Sequence, residues 1–393
     1  MWSTCAFSFT HFVECFNPSS IMSSSAASLR MPKRERSSNM EALRVLAMFF
    51  VLVVHADFAA LGYPTIANLT HHPEERIALS LVEYLSVVCV DVFVMLSGWF
   101  GIRARIRGVA RLLFQVFFVT SVVIAGFAIY KGGWPDTPDR LWDSYFGYWF
   151  VYAYLVLYLL SPVLNAFVER ASQREFLGVL VAFFTVQTLG IWQLSGVFQQ
   201  GYGTLSFIGL YLLARYLRLY VADSLTAPKA FFFLGYVLCA LVQLVLLLLF
   251  VLSGDKESVH EFNRFSTNYT NPFVILGSCF LLLFFSRLNF RSRLINWLAA
   301  GSLSVYVVHQ NLLARPVFKE AVVHLHKEFE PLLFALLTLL SLVGVYVVSV
   351  LVDQVRAWSW QGLEAAAGRT KSWRKGRREQ PAEAEQPSSH QSQ

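Results

Sequence analysis

The sequence predicts an all-α fold: a polytopic integral membrane protein with about ten transmembrane helices and both termini cytoplasmic. Three observations carry that reading. The 393-residue chain is 56% hydrophobic and only 15% charged, where an ordinary soluble domain carries about 25% charged residues. Apolar runs of about 20 residues, each long enough to cross a hydrocarbon core, recur along almost its whole length. With a cytoplasmic N-terminus and alternating spans, 24 of the 32 Lys and Arg fall in the inside segments, the bias that fixes topology. The net charge of +7 then belongs to cytoplasmic loops, and nucleic acid is not an expected partner.

Taken in order, residues 1–40 form an N-terminal extension. The stretch "NPSSIMSSSAASLRMPKRERSSNM" is Ser-rich and then basic. It lacks the basic-then-apolar layout of a signal peptide and reads as disordered. Met22, Met31 and Met40 each offer an alternative start. Ten spans follow, at 43–61, 80–100, 111–130, 144–165, 176–194, 203–219, 230–252, 271–286, 294–313 and 331–352. The external segments between them are too short to fold as a soluble domain, so the chemistry belongs to the bundle and its faces. Residues 353–393, ending "EQPAEAEQPSSHQSQ", read as a disordered basic cytoplasmic tail. The cysteines Cys5, Cys15, Cys89, Cys239 and Cys279 show no C-x-x-C spacing, which supports neither a disulfide framework nor a zinc site.

The first span, "RVLAMFFVLVVHAD", places an imidazole within an apolar run. Eleven residues at about 100° each put Arg44 and His55 on one helix face, roughly 16 Å apart in height. Arg44 then sits at the cytoplasmic interface and His55 near mid-membrane. A cationic mouth and a buried base along one stripe suit a donor with phosphates at one end and a reactive carbonyl at the other. The plainer readings are a topology-setting arginine and an interhelical hydrogen bond, but intramembrane ionisable residues are functional by default. Asp91 lies at similar depth in the second span, where an ionised carboxylate costs roughly 2.5–3.5 kcal/mol. Its natural partner is His55, whose imidazole it would orient as in a catalytic triad; the competing reading is a structural carboxyl. Ser97 and Gly98, near the cytoplasmic end of that span, read as a close-packing pair. Arg103, Arg105, Arg107 and Arg111 follow, suited to binding phosphates and to holding the loop inside. In the ninth span, "GSLSVYVVHQNLL" places His309 towards the outer half, a second intramembrane imidazole that argues for a polar cavity. The loop pairs His71/His72 and His324/His326 have no clear third ligand, so no metal site is expected.

Together these segments resemble the membrane-bound acyltransferase 3 family, which acylates sugars and cell-surface glycans. The family's Arg, ten residues and His appear here as Arg44 to His55, and its apolar "VD-F--LSG" pattern as "VDVFVMLSGWF". "YWFVYAYLVLYLLSPVL", with Trp149, Tyr152, Tyr158 and Pro162, and "SLSVYVVH", ending at His309, supply two further motifs in the same order. The resemblance implies an acyltransferase transmembrane domain over residues 41–352, in the compact form without an extra esterase-like domain. It makes His55 the catalytic histidine with Arg44 as its companion. Arg103, Arg107 and Arg111 become donor-binding candidates, and Ser97, Tyr152 and His309 line the cavity or the acceptor side.

The expected activity is O-acyl transfer, most commonly of acetyl, from acyl-CoA as co-substrate to a sugar hydroxyl of a cell-surface or exported polysaccharide or its lipid-linked precursor. No bound cofactor is expected, and membrane lipids are the remaining partners. His55, oriented by Asp91, would act as general base or carry the acyl group itself. The expected location is a bacterial cytoplasmic membrane. The alternative is a transporter or flippase of a lipid-linked glycan using the same polar cavity.

Overall fold

Long apolar runs without internal polar backbone partners must satisfy their own N–H and C=O groups, so they become helices. The computed structural model describes residues 37–134, 137–189 and 195–379, and every regular element among them is helical. The expectations for residues 1–36, including Cys5, Cys15 and the alternative starts at Met22 and Met31, and for residues 380–393 lie outside the described residues, while Ser38 to Met40, expected in the extension, belong to the first helix. In chain order the helices are α1 (Ser38–Ala56), α2 (Phe58–Leu61), α3 (Ile66–His71), α4 (Pro73–Ser86), α5 (Cys89–Phe100) and α6 (Ile106–Lys131). Next come α7 (Pro138–Phe146), α8 (Trp149–Arg170), α9 (Gln173–Leu189), α10 (Ser195–Phe198), α11 (Thr204–Tyr216) and α12 (Lys229–Leu252). The last six are α13 (Lys256–Ser266), α14 (Pro272–Ser286), α15 (Arg293–Ala300), α16 (Ser302–Gln310), α17 (Ala314–Glu328) and α18 (Pro331–Glu379).

Among the described residues, six helical stretches are long and apolar enough to cross a membrane: Ser38–Leu61, Pro73–Phe100, Ile106–Lys131, Trp149–Arg170, Lys229–Leu252 and Pro331–Ala366. The protein is an all-α, multi-pass membrane protein. The other four expected spans take different forms. Residues 176–194 and 203–219 correspond to α9, 17 residues long, and to α11, 13 residues long and extended by a π turn at Leu217–Val221. Residues 271–286 form α14, whose 15 residues rise only about 22 Å at 1.5 Å each. The expected span 294–313 is broken at Gly301 into α15 and α16. A side chain at Gly301 would lie 2.9 Å from Val350 Cγ2, so the close approach of α18 favours glycine there.

The central element is α5. It packs against α1, α11 and α14, and Val92, Val94, Met95 and Leu96 are fully buried there beside Leu43, Leu52, Phe207 and Tyr211. The outer faces of the long helices remain apolar and exposed, as at Leu159, Val163, Leu234, Leu238, Leu340 and Val348; in a membrane, lipid covers them. The expected close packing at Ser97–Gly98 is present. A Cβ at Gly98 would overlap the Tyr211 carbonyl oxygen and lie 2.9 Å from Ala214 Cβ. Gly98→Val should therefore wedge α5 from α11 and cost about 1–3 kcal/mol or more, read as lower yield and an earlier transition in thermal size-exclusion of the detergent-extracted protein.

The tail is the main correction to the expected fold. Instead of ending near residue 352, α18 continues to Glu379, and Asp353 and Arg356 are buried rather than solvated. Arg356 Nη2 lies 2.8 Å from Asp353 Oδ2, and the same carboxylate accepts from Gln115 Nε2 at 2.9 Å and Ser304 Oγ at 2.6 Å. Polar residues just past an apolar run resemble a solvent-exposed end. Here their i, i+3 spacing places them on one face, where they satisfy each other inside the bundle.

Candidate active site

The first helix carries both ends of the candidate site. At one end, Arg44 is ion-paired with Glu41 one turn earlier, and Glu41 is itself buried. Asn39 donates to the Phe285 carbonyl at 2.9 Å, tying this end of α1 to α14. Nearby, the Ser97 hydroxyl contacts Tyr154 Oη at 3.3 Å, and Arg44 lies within electrostatic reach of Tyr154. Ser97 is thus at the Arg44 end, beside a tyrosine from α8. Tyr152 is not: it is 47% exposed on the outer face of α8. The expectation that Tyr152 lines the cavity is corrected, because two residues along a helix turn the side chain by about 200°, and Tyr154 takes the inward position.

At the other end, His55 and His309 meet. Their ring centroids are 5.2 Å apart, edge to face, although the residues are far apart in sequence. Each ring is held in the same way. His55 Nδ1 lies 2.6 Å from the Val51 carbonyl oxygen, and His309 Nδ1 lies 2.7 Å from that of Val305. A carbonyl oxygen only accepts, so Nδ1 carries the hydrogen in both neutral rings and Nε2 keeps its lone pair. His309 is buried and its Nε2 has no partner, while His55 is only half-buried. Phe318 and Tyr306 flank His309, with centroids 6.0 and 6.1 Å away. The exposed Arg315 of α17 lies within electrostatic reach of His55.

The helix end that presents His309 is clamped by groups that give no motif in the sequence. Tyr148 Oη donates to the Val307 carbonyl at 3.2 Å and accepts from Asn311 Nδ2 at 2.7 Å. Thr120 Oγ1 is 3.0 Å from the same hydroxyl. Asn311 also donates to the Ser144 carbonyl and accepts from the Leu313 N–H. Because every one of these polar atoms has a partner, the turn after α16 is fixed.

Asp91 does not orient His55. Both of its carboxyl oxygens are buried without a hydrogen-bond partner, and the electrostatic neighbours it influences are Cys89, Cys279 and Tyr269. Those neighbours lie on α5, on α14 and in the turn before it, and the carbonyl of Val51 on His55's own helix holds the imidazole. Two other buried carboxyls, Asp57 and Glu83, lie near the outer end of α1 and were not singled out from the sequence.

The arginine-rich segment forms a second feature. Arg103, Arg105, Arg107 and Arg111 are all exposed. Tyr158 Oη accepts the Arg105 N–H at 3.0 Å and fixes the turn into α6. Arg105, Arg107 and Arg111 line a cleft of about 370 Å³, with Tyr158 and with Arg356 and Trp360 from α18. Arg103 and Arg44 do not line it. Among the described residues no cluster of three His, Cys, Asp or Glu side chains is placed to share a metal ion, and Cys89, Cys239 and Cys279 are unbridged.

A histidine pair between α1 and α16, an arginine at the other end of α1 and an arginine-lined cleft all fall within or beside one stretch of the chain. A family profile described as an acyltransferase domain, Acyltransferase 3, matches residues 37–352. The chain belongs to the acyltransferase 3 family. No curated protein and no solved structure matches it. As an acyltransferase 3 protein it is a membrane acyltransferase with an acyl donor and an acceptor, and α1 to the middle of α18 form the family domain. The geometry of this acyltransferase also yields a sharp prediction about Asp91. Asp91→Asn, which keeps the shape of a side chain that does not touch His55, should leave acyl transfer within about twofold of wild type at equal protein level. A loss as deep as that of a His55 variant would restore the triad-like pairing.

Proposed function

We propose that this protein is an O-acyltransferase of a bacterial cytoplasmic membrane. It takes an acyl group, acetyl in the first instance, from acyl-CoA and places it on a sugar hydroxyl of a cell-surface or exported polysaccharide or its lipid-linked precursor. The observation that supports this best is the pair of imidazoles, His55 and His309, each with Nδ1–H spent on a backbone carbonyl and Nε2 left as a base. Catalysis by a positioned base of this kind contributes about 10²–10⁴ in rate.

In the proposed step, His55 Nε2 removes the proton of the acceptor hydroxyl as that oxygen attacks the thioester carbonyl. The tetrahedral intermediate then expels the thiolate, which takes the proton back from His55. The C–S bond breaks, a C–O ester bond forms, and free CoA leaves as the thiol. His309, 5.2 Å away ring to ring, offers its free Nε2 as an acceptor to a second hydroxyl of the same sugar and fixes the direction of the acceptor. The Arg44 end of α1 receives the phosphate-bearing portion of the donor, and Arg107 and Arg111 attract it electrostatically. The Val51 and Val305 carbonyls replace an acidic partner in setting the tautomers.

Mass spectrometry of surface glycans from cells with and without the gene tests the reading. An acyl mass increment that disappears with the gene, and returns with the wild-type gene but not with a His55→Ala copy, is the expected result. Identical glycans in all strains would refute the polysaccharide acceptor.

A further inference from the structure

Where α6 begins, the cleft of about 370 Å³ carries a wall from α18 that the acyl-transfer step does not use. Two helices that are distant in sequence build it. Arg105, Arg107 and Arg111 come from the start of α6, and Arg356, Trp360 and Glu364 from α18. Arg105, Arg107 and Arg111 are exposed, but Arg356 is 2% exposed. Its Nε and Nη2 lie 3.0 and 2.9 Å from Asp353 Oδ1, and Gln115 and Ser304 hold that carboxylate from α6 and α16. The guanidinium is therefore fixed along one edge. Its Nη1 is buried without a partner, which is costly for a charged donor unless something accepts from it.

The charges and shapes around this orphan group specify what would accept. Among the described residues, four guanidinium groups face the carboxylates of Asp353 and Glu364, and Asp353 is already committed to Arg356. Glu364 Oε1 sits 3.2 Å from Arg107 Nε, in a pair whose partners are 78% and 36% exposed. Such an exposed pair is worth at most about 1 kcal/mol, so it occupies the cleft without sealing it. A guanidinium fork matches the oxygens of carboxylates and phosphates, and a phosphate brings enough oxygens to meet several of these groups at once. Trp360, which packs on Phe114 with centroids 5.2 Å apart, adds an aromatic wall.

We propose that this cleft is a phosphate-binding site in which Arg356, Arg107 and Arg111 take a phosphate group and Glu364 acts as a built-in competitor. The phosphate comes either from a free phosphorylated ligand, such as the adenosine bisphosphate end of CoA, or from the headgroup of an anionic lipid. The proposal rests on the reading above that this end of the bundle faces the donor. It also goes beyond that reading, because Asp353, Arg356, Trp360 and Glu364 all follow residue 352, where the family domain ends. The site thus needs this chain's last helix as well as the start of α6.

The test uses full-length protein in phosphatidylcholine nanodiscs, titrated calorimetrically with adenosine 3′,5′-bisphosphate. Glu364→Gln, an exposed change that frees Arg107, should tighten binding roughly two- to fivefold. The paired variant Asp353→Asn/Arg356→Gln, which replaces the buried ion pair with a neutral hydrogen-bonded one, should weaken it at least about tenfold. If the lipid is the source, the bisphosphate does not bind. Adding phosphatidylglycerol then raises the thermal transition of wild type, and the paired variant loses that gain. Either pattern supports the site. Unchanged bisphosphate binding and an unchanged phosphatidylglycerol response in both variants would overturn it, and Glu364→Gln decides alone if the paired variant does not fold. Those unchanged responses together with acyl-CoA turnover at wild-type KM in both variants would refute the site while keeping the donor reading. Bisphosphate bound with these dependences by a protein that never cleaves acyl-CoA would do the reverse.

Discussion

His55→Ala is expected to lower acyl transfer by about 10²–10⁴ while leaving a folded, membrane-inserted protein. Two features make the functional effect large and the structural one small. The imidazole is half-buried beside His309, and the hydrogen bond it loses runs to its own helix, from Nδ1 to the Val51 carbonyl. That carbonyl remains within an intact α-helix. Alanine also has the higher helix propensity, so α1 keeps its packing against α5 and α16. The check is acylation at matched protein level with an unchanged size-exclusion profile. His55→Gln, which keeps a polar side chain but no base, should be as inactive as alanine.

The second large effect concerns stability. Arg356→Ala should cost about 3–5 kcal/mol, because it leaves the Asp353 carboxylate buried with its main partner gone. Gln115 and Ser304 still donate to Asp353, but neither carries a charge. Asp353→Ala is expected to be comparably harmful, since it strands the guanidinium. Replacing both residues with Leu and Met should recover most of the loss, as removing both members of a buried pair often does. Thermal size-exclusion of the four proteins in one detergent checks the cycle. Additive losses in the double replacement would show that the pair is not coupled.

The sequence exposes what depends on one helix at a time. Arg44 and His55 share a face because helical geometry is local, and the apolar runs mark α1, α5, α6, α8, α12 and α18 because transfer to hydrocarbon is a property of each run. The pairing of His55 with His309 depends instead on how α1 and α16 cross, and only a suggestion of a shared cavity was legible. Depth misled the reading for Asp91: hydropathy gives a residue's height in the membrane but not its direction. The same ambiguity separates Tyr152 from Tyr154. Polarity misled it at Asp353 and Arg356, where an internal ion pair has the composition of a solvated end. The break at Gly301 also escaped the sequence, since a glycine within an apolar run looks the same whether it bends the helix or admits a neighbour. Glu41, Tyr148 and Asn311 carry no motif, and their roles follow only from the partners the fold brings to them.

The central claim is that the His55–His309 pair serves acyl transfer from a thioester. The most direct measurement is release of free CoA thiol from acetyl-CoA by purified protein in proteoliposomes, followed with a thiol reagent, for wild type and His55→Ala in the presence of acceptor glycan. The account predicts thiol release and matching acetyl incorporation by wild type, both lost in His55→Ala. Release and incorporation that continue unchanged in His55→Ala would contradict it.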